Sequence, residues 1–280
     1  MSRIELHCPS CGYDVPPTLM PPPKMFSCPE CLEVMPREKL TRLKVLHRNI
    51  AGANVLANTM SATVVGSNTL YDPTQATASL TVSNCVFAAG DACVVMIADN
   101  LAGSSGGPST CTVGGSGMTN LFATQQNDEV VSCFVRGNIT AGSKSIVVSA
   151  WGVNPTACAV VVVAVSGALK VSNPSDGSSS ANAATAAFDT GLTSALVSPL
   201  EFAIAAVGSQ NNSLALGPTW GQGFITAVSG HVGTNSGGPP NDTVLDVAFK
   251  ALLSNAAIKA TGTLPGAVDN VSMIVTIKPA

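Results

Sequence analysis

Short apolar runs constrain the fold of this chain more than any other feature. Runs of five to nine residues recur through residues 55–280, and clusters of Gly, Asn, Ser, Pro and Asp separate one run from the next. Runs of this length are typical of β-strands, whereas helices show a longer amphipathic period. The longest run, Ala157–Val165, is far shorter than the roughly 20 residues that a membrane-spanning helix requires. The sequence therefore predicts an all-β domain over residues 55–280.

The individual runs indicate which strands are buried on one face and which on both. Val244–Phe249 includes the polar Asp246 and is interpreted as a strand with one face in the core and one outside, while Ala159–Val165 is apolar throughout, as in strands covered by other layers on both sides. About ten to twelve strands without helical periodicity predict a large antiparallel β-sandwich. Two stretches of small polar residues, 172–180 and 230–241, are predicted to be surface loops. The clearest predicted strands are Ala78–Val82, Cys93–Ala98, Thr119–Ala123, Val130–Val135, Ser145–Trp151, Ala159–Val165, Leu200–Val207, Phe224–Val228, Val244–Ala248 and Val271–Ile277.

Charge is scarce and unevenly distributed. Charged residues make up 10% of the chain, against about 25% in an average globular protein. Residues 1–50 hold 7 of the 13 Lys and Arg residues and 5 of the 16 Asp and Glu residues, which leaves 6 and 11 for the other 230 residues. The net charge of −3 excludes a broadly basic nucleic-acid-binding protein and a strongly acidic disordered chain.

Four cysteines near the N-terminus form two Cys-x2-Cys pairs, with 16 residues between the pairs. They are Cys8, Cys11, Cys28 and Cys31. Two tight turns of this kind present four thiolates to one point, which suits tetrahedral Zn2+, whereas two disulfides would require an oxidising compartment. The stretch resembles a zinc ribbon over residues 5–35. Because four protein ligands leave no open coordination position, we expect a structural rather than a catalytic metal.

These features divide the chain into three parts. Residues 1–36 are predicted to form the zinc ribbon, residues 37–54 a basic linker or short helix, and residues 55–280 the β-sandwich. In the linker, Leu40, Leu43 and Leu46 recur every third residue among five basic residues. That pattern is typical of a solvated arm that packs its leucines on a neighbouring domain, although basic residues also bind phosphate.

The remaining candidate residues give no sign of catalysis. Five cysteines lie mostly in apolar, strand-like stretches and are predicted to be free buried thiols; they are Cys85, Cys93, Cys111, Cys133 and Cys158. Gly103–Gly107 matches Gly-x-Ser-x-Gly, but Pro108 follows it instead of a helix, so a flexible loop is the better interpretation. His231 lies in the second polar stretch and is predicted to be exposed. We therefore expect that the protein is not an enzyme.

The order of segments over residues 75–280 resembles the jelly-roll-like β-sandwich modules of phage structural proteins and bacterial surface proteins. It runs from the turn Thr140–Ser145 into strand Ile146–Val148, through Val160–Val165 and Leu200–Val207, to the closing segment Val271–Ala280. The resemblance implies a non-enzymatic virion structural protein, a capsid decoration or tail component. Its partners would be other virion proteins and further copies of itself, with the zinc ribbon as an anchor. No site residues follow from the resemblance.

Two other functions compete with this one. A carbohydrate-binding or adhesive module would use exposed aromatic residues, of which Trp220 is the best candidate, although core packing is the simpler role for that ring. A nucleic-acid-binding regulator would use the ribbon and the basic arm, but the acidic, charge-poor remainder argues against it. The N-terminus has no apolar segment typical of a secretion signal. We expect a virion protein assembled in the host cytoplasm, with the cell surface as the alternative location and no membrane partner.

Overall fold

The computed structural model divides the chain into two compact units, Met1–Asn58 and Thr59–Ala280. It describes residues 60–101, 106–210, 217–234 and 242–280, together with four short strands in the first unit. The four predicted zinc ligands and the basic arm of residues 37–54 lie outside the described residues, as do residues 102–105 of the Gly-x-Ser-x-Gly match.

The described residues of the first unit form two strand pairs. Strand β1 (Leu6–His7) pairs antiparallel with β2 (Asp14–Val15), and β3 (Met25–Ser27) pairs antiparallel with β4 (Val34–Pro36). Cys8 and Cys11 fall in sequence between the first two strands, and Cys28 and Cys31 between the second two. Each Cys-x2-Cys pair is thus bracketed by its own two paired strands.

Every regular element in the described part of the second unit is a β-strand. The first half contains β5 (Ser61–Tyr71), β6 (Ser79–Phe87), β7 (Ala92–Asn100), β8 (Thr110–Val113), β9 (Ser116–Gly117), β10 (Thr119–Gln126), β11 (Glu129–Arg136), β12 (Gly142–Ser149) and β13 (Ala157–Ser166). The second half contains β14 (Ser175–Ala183), β15 (Ala187–Asp189), β16 (Phe202–Ser209), β17 (Thr219–Trp220), β18 (Ile225–Gly233), β19 (Val244–Ala251), β20 (Thr261–Thr263) and β21 (Asn270–Ile277).

These strands form four antiparallel sheets. Sheet I has the order β10-β11-β7-β13-β5 and sheet II the order β6-β12-β8-β9. Sheet III has the order β14-β21-β16-β19-β18 and sheet IV the order β15-β20-β17. Sheets I and II make the first sandwich, and sheets III and IV make the second.

Apolar cores between successive sheets arrange the four sheets as layers in the order II, I, III, IV. The largest core lies between sheets I and III, where Val94 and Met96 of β7 meet Ile204 and Ala206 of β16. The opposite face of β7 packs on sheet II, and the opposite face of β16 packs towards sheet IV. The central strands of sheets I and III are therefore buried on both faces, which explains their continuous apolar sequences.

The two sandwiches repeat one topology. The eight strands of the second sandwich, β14 to β21, can be matched in chain order to the strands of the first, β5 to β13, if β9 is left out. The strand order of sheet III then reproduces that of sheet I. The order of sheet IV likewise reproduces that of sheet II without β9. The registers agree as well, because Ala92 pairs with Val165 where Phe202 pairs with Ile277. The acidic residues that directly precede these strands, Asp91 and Glu201, both accept the backbone N–H of the residue three positions earlier.

All ten strand predictions are confirmed in position, and the loop predictions are partly wrong. Ser175–Ala183, within and beyond the predicted loop 172–180, forms strand β14 at the edge of sheet III. Residues 230–233 belong to β18, another edge strand. Each edge strand pairs with a single neighbour, β21 or β19. Polar residues are tolerated in both segments because most of their side chains are partly or fully exposed to solvent. One large sandwich was predicted, and the described residues form two.

Candidate functional site

Trp220, the predicted ligand-binding residue, packs mainly into the second sandwich. Its ring lies edge-on to Phe188, with 5.0 Å between ring centroids, and tilts against Phe224 at 6.3 Å. Phe188 and Trp220 are the cross-strand neighbours of Gly262 on either side, and a Cβ on Gly262 would collide with the Phe188 ring. Glycine at this position therefore lets the two rings meet over the middle strand of sheet IV.

The opposite face of sheet IV forms an open cavity of about 870 Å³, which we call the trough. Two cross-strand rows make its floor. The first is Ala187, Thr263 and Thr219, and the second is Asp189, Thr261 and Gly221. Since side chains alternate along a strand, these small and hydroxylated residues face away from Phe188 and Trp220. Ala181–Ala183 and the exposed Leu192 also line the trough, and Phe188, Trp220 and Gly262 border it.

An ion pair occupies one end of the trough. Nζ of Lys259 donates to Oδ2 of Asp189 at 2.5 Å, and the backbone N–H of Gly191 donates to Oδ1 at 2.9 Å. Partial burial raises the pKa of Asp189, but the hydrogen bonds from Lys259 and Gly191 outweigh this effect and hold the pKa below its ordinary value. The trough therefore presents one carboxylate and one ammonium group with no net charge, beside threonine hydroxyls.

A second cavity of about 690 Å³ opens where strands β5 and β18 lie side by side at one edge of sheets I and III. We call it the seam groove. Ala62 and Val64 of β5 line it from one side and Ala227 of β18 from the other, with Phe202 and Phe249 between them. These side chains belong to, or pack on, the large core between sheets I and III. The seam groove is thus an opening into that core.

His231 lies on a strand and is paired. Its Nδ1 atom lies 2.6 Å from Oδ1 of Asp246 on the neighbouring strand β19. The Asp246 side chain is 2% exposed and that of His231 is 26% exposed. Burial raises the pKa of Asp246, and the hydrogen bond and charge of His231 offset part of that effect. The prediction that His231 is an exposed loop residue is wrong, because its backbone pairs with β19 and its ring with a buried carboxylate.

Two further carboxyl groups are completely buried in the first sandwich. Burial raises the pKa of Asp99 to about 7, and Trp151 and Cys158 are the polar residues that face its carboxyl group. Burial also raises the pKa of Glu129, whose Oε1 accepts a 2.7 Å hydrogen bond from Oγ1 of Thr243 across the interface between sheets I and III. Asp99 is the second-last residue of β7 and Glu129 the first residue of β11, and nothing in the sequence distinguishes these two acids from exposed residues at strand ends.

The five cysteines of the second unit are free and buried, as predicted. Burial raises the pKa of each thiol, to about 11 for Cys85 and about 12 for Cys111. A raised pKa keeps a thiol protonated and unreactive at neutral pH. These cysteines therefore contribute to packing.

The trough and the seam groove contain residues that the sequence did not single out, above all Asp189, Lys259 and Val228. Comparison with protein-family models and with curated proteins found no matching family and no similar protein. Among the described residues, no cluster of three or more His, Cys, Asp or Glu side chains is placed to bind a metal ion. That part of the chain also contains no helix long and apolar enough to cross a membrane.

Proposed function

We propose that this protein is a non-enzymatic structural component of a virion, a capsid decoration or tail protein, anchored through a zinc-stapled N-terminal module. The observation that carries the proposal is the layered body. Two sandwiches of one topology are joined through a large apolar interface. Antiparallel two-sheet sandwiches, the jelly roll among them, are common in viral capsid proteins.

The surface of the body supports this role, because it carries even less charge than its sequence implies. Six of the eleven acidic residues beyond residue 50 are buried. They are Asp91, Asp99, Glu129, Glu201, Asp242 and Asp246. Surfaces with few charges pack against neighbours without the cost of desolvating ions. A body of this kind suits repeated close contacts in an assembly.

The zinc module rests on the cysteine spacing together with the backbone around it. The paired strands β1 and β2 lie before and after Cys8 and Cys11 in the sequence, and β3 and β4 lie before and after Cys28 and Cys31. Two Cys-x2-Cys pairs with this spacing can supply the four thiolates of a tetrahedral zinc site. In so small a unit, binding of Zn2+ would supply much of the folding free energy.

The test is quantitative mass spectrometry of virus particles purified from the host that produces this protein. We expect the chain at a fixed ratio to the major capsid protein through successive density gradients, and release of the chain in parallel with loss of zinc. Recovery of the chain only from the particle-free fraction would overturn the virion proposal.

The trough favours a second candidate function, carbohydrate binding. Its floor offers three threonine hydroxyls and the Asp189–Lys259 pair beside the methyl groups of Ala187 and the threonines, with no net charge. A neutral sugar presents hydroxyl groups and apolar C–H faces that match such a surface. We expect D189N to abolish binding on a glycan array, while D128N, outside the trough, keeps it. W220A is a poorer probe, since the Trp220 ring packs on Phe188 and Phe224 and its loss would disturb the core.

A further inference from the structure

The internal repeat creates two equivalent seams between the sandwiches. Sheets I and III pack face to face, so that β10 lies beside β14 at one edge and β5 lies beside β18 at the other. The repeat matches β10 to β18 and β14 to β5, and therefore exchanges the two seams. Any difference between the seams is a departure from the symmetry of the fold.

Polar hydrogen bonds close the first seam. Oγ1 of Thr124 lies 2.6 Å from Oγ of Ser180, and Nδ2 of Asn182 donates to the carbonyl oxygen of Gln125 at 2.6 Å. Nδ2 of Asn127 donates to Oδ2 of Asp269 at 2.8 Å near the end of the same seam. These bonds connect the two sandwiches along this edge and leave their polar groups satisfied.

The second seam contains the seam groove instead. No hydrogen bond joins Ala62–Val64 to Ile225–Ser229, all of which lie in the described part of the chain. Strand β18 also bulges here, because residues 227–230 stand opposite Val247 alone. Ser229 has a φ of 62°, in the left-handed region, and this backbone conformation turns the chain back towards β19.

An apolar ridge lies beside the groove, with Ile225 ahead of the bulge and Val228 within it. Val228 is 88% exposed and Ile225 is 75% exposed, and both also line the groove. The only charged residue among those lining the groove is Lys250. Its Nζ already donates to the carbonyl oxygen of Gln222 at 2.6 Å and lies 5.7 Å from the centre of the Phe224 ring. An apolar occupant would therefore meet a single charged group, and that ammonium group already has a hydrogen-bond acceptor and an aromatic face.

We propose that the seam groove is a self-association surface, which a second copy of this chain occupies through a twofold axis. An isologous contact requires one patch that is complementary to itself. This patch carries a ridge, Ile225 and Val228, directly beside a groove, so a twofold rotation places the ridge of each copy in the groove of the other. The contact continues the apolar core that already joins sheets I and III. The inference that this contact serves a larger assembly rests on the proposed structural function.

The test is sedimentation equilibrium of the full-length protein and two matched variants. V228D places a carboxylate on the ridge, and V197D makes the same change at a residue that is 77% exposed and does not line the groove. Because both valines are exposed, neither variant removes a core contact. We expect the wild-type protein and V197D to dimerise, and V228D to raise the dimer dissociation constant about a hundredfold or more, since a charge buried in an apolar contact is costly.

Salt dependence provides a second readout. A contact without ion pairs should keep its dissociation constant nearly unchanged between low and high salt. Self-association of wild type and V228D to the same extent would overturn the seam groove as the contact and leave the structural function standing. A wild-type chain that stays monomeric at high concentration would overturn the seam contact. The virion proposal fails on a different observation, the absence of the chain from purified particles.

Discussion

Gly208 of β16 faces Glu129 of β11 across the interface between the two sandwiches. A Cβ atom on Gly208 would lie 2.8 Å from Oε1 of Glu129 and 3.0 Å from Cβ of Ala98. The hydrogen bond from Thr243 of the second sandwich ends on the same Oε1 atom. The backbone of one sandwich thus rests directly on the side chains of the other at this point, and glycine makes that approach possible.

We predict that G208A destabilises the body by about 1–3 kcal/mol, the usual cost of an added methyl group in a well-packed interior. Urea denaturation monitored by circular dichroism would measure the change. The matched control is G266A, because a Cβ on Gly266 meets nothing within 4 Å. Equal stabilities of the two variants would show that sheets I and III do not approach as closely as described.

The raised pKa of Asp99 predicts that the stability of the protein falls as the pH rises from 4 to 7. Its pKa rises from the ordinary aspartate value of 3.8 to about 7 in the folded protein, so the folded state holds a proton that the unfolded state releases. Stability from this group is fully present below about pH 4 and is lost as the pH rises towards 7, by about 4 kcal/mol in total. We expect D99N to show a shallower decline in thermal stability between pH 4 and 7, and part of the decline to remain because burial also raises the pKa of Glu129 and of Asp246. A decline that persists unchanged in D99N would contradict the raised pKa.

Asp72 provides a control of opposite sign. Hydrogen bonds from the hydroxyl groups of Thr74 and Thr77 lower its pKa below the ordinary range. Its contribution is present above the ordinary aspartate pKa and is lost as the pH falls below it. D72N should therefore reduce stability at neutral pH and leave the decline attributed to Asp99 intact, as the same thermal unfolding series would show.

The two ion pairs of the second sandwich should differ in their contributions to stability. His231 partners the buried carboxylate of Asp246, whereas Lys259 and Asp189 are 38% and 48% exposed. We expect H231A to lower the free energy of unfolding by about 1–3 kcal/mol, because it deprives a buried carboxyl group of a hydrogen bond. K259A should cost about 0–1 kcal/mol, as is usual for exposed pairs. Chemical denaturation of both variants measures the two losses in the free energy of unfolding. A larger loss in K259A than in H231A would contradict this interpretation.

Thiol titration separates the two groups of cysteines and tests the metal. Five of the nine cysteines are buried in the body. If the other four bind Zn2+, the native protein should react slowly with a thiol reagent, and a zinc chelator should expose four thiols. Denaturant should then expose all nine. The chelator should leave the thermal unfolding of the body unchanged. Four reactive thiols before any chelator is added, with no zinc in native mass spectrometry, would contradict the zinc site.

The sequence predicted the strands of this protein better than their arrangement. Runs such as Ala159–Val165 identify buried strands because their composition alone excludes exposure to water. Ser175–Ala183 was mistaken for a loop because it lies at a sheet edge, where most of its side chains are partly exposed and polar residues are tolerated. Trp220 was the best aromatic candidate for ligand binding, with core packing as the favoured role, and its ring does pack on Phe188 and Phe224. Nothing in the sequence indicated the polar groups of the trough, Asp189, Thr261 and Lys259, which come together only when β15 and β20 pair.

By itself, the sequence determined the all-β class, the burial of the five cysteines and most strand positions. These properties follow from local composition and from alternation along each strand. Only the tertiary structure revealed the repeat of one topology, since equivalent positions such as Ala92 and Phe202 share a location and not a residue type. Alternation specifies which face of a strand is buried, but it carries no information about which sheet covers that face. The layer order, the two seams and the open groove at one of them result from pairings between strands far apart in the chain.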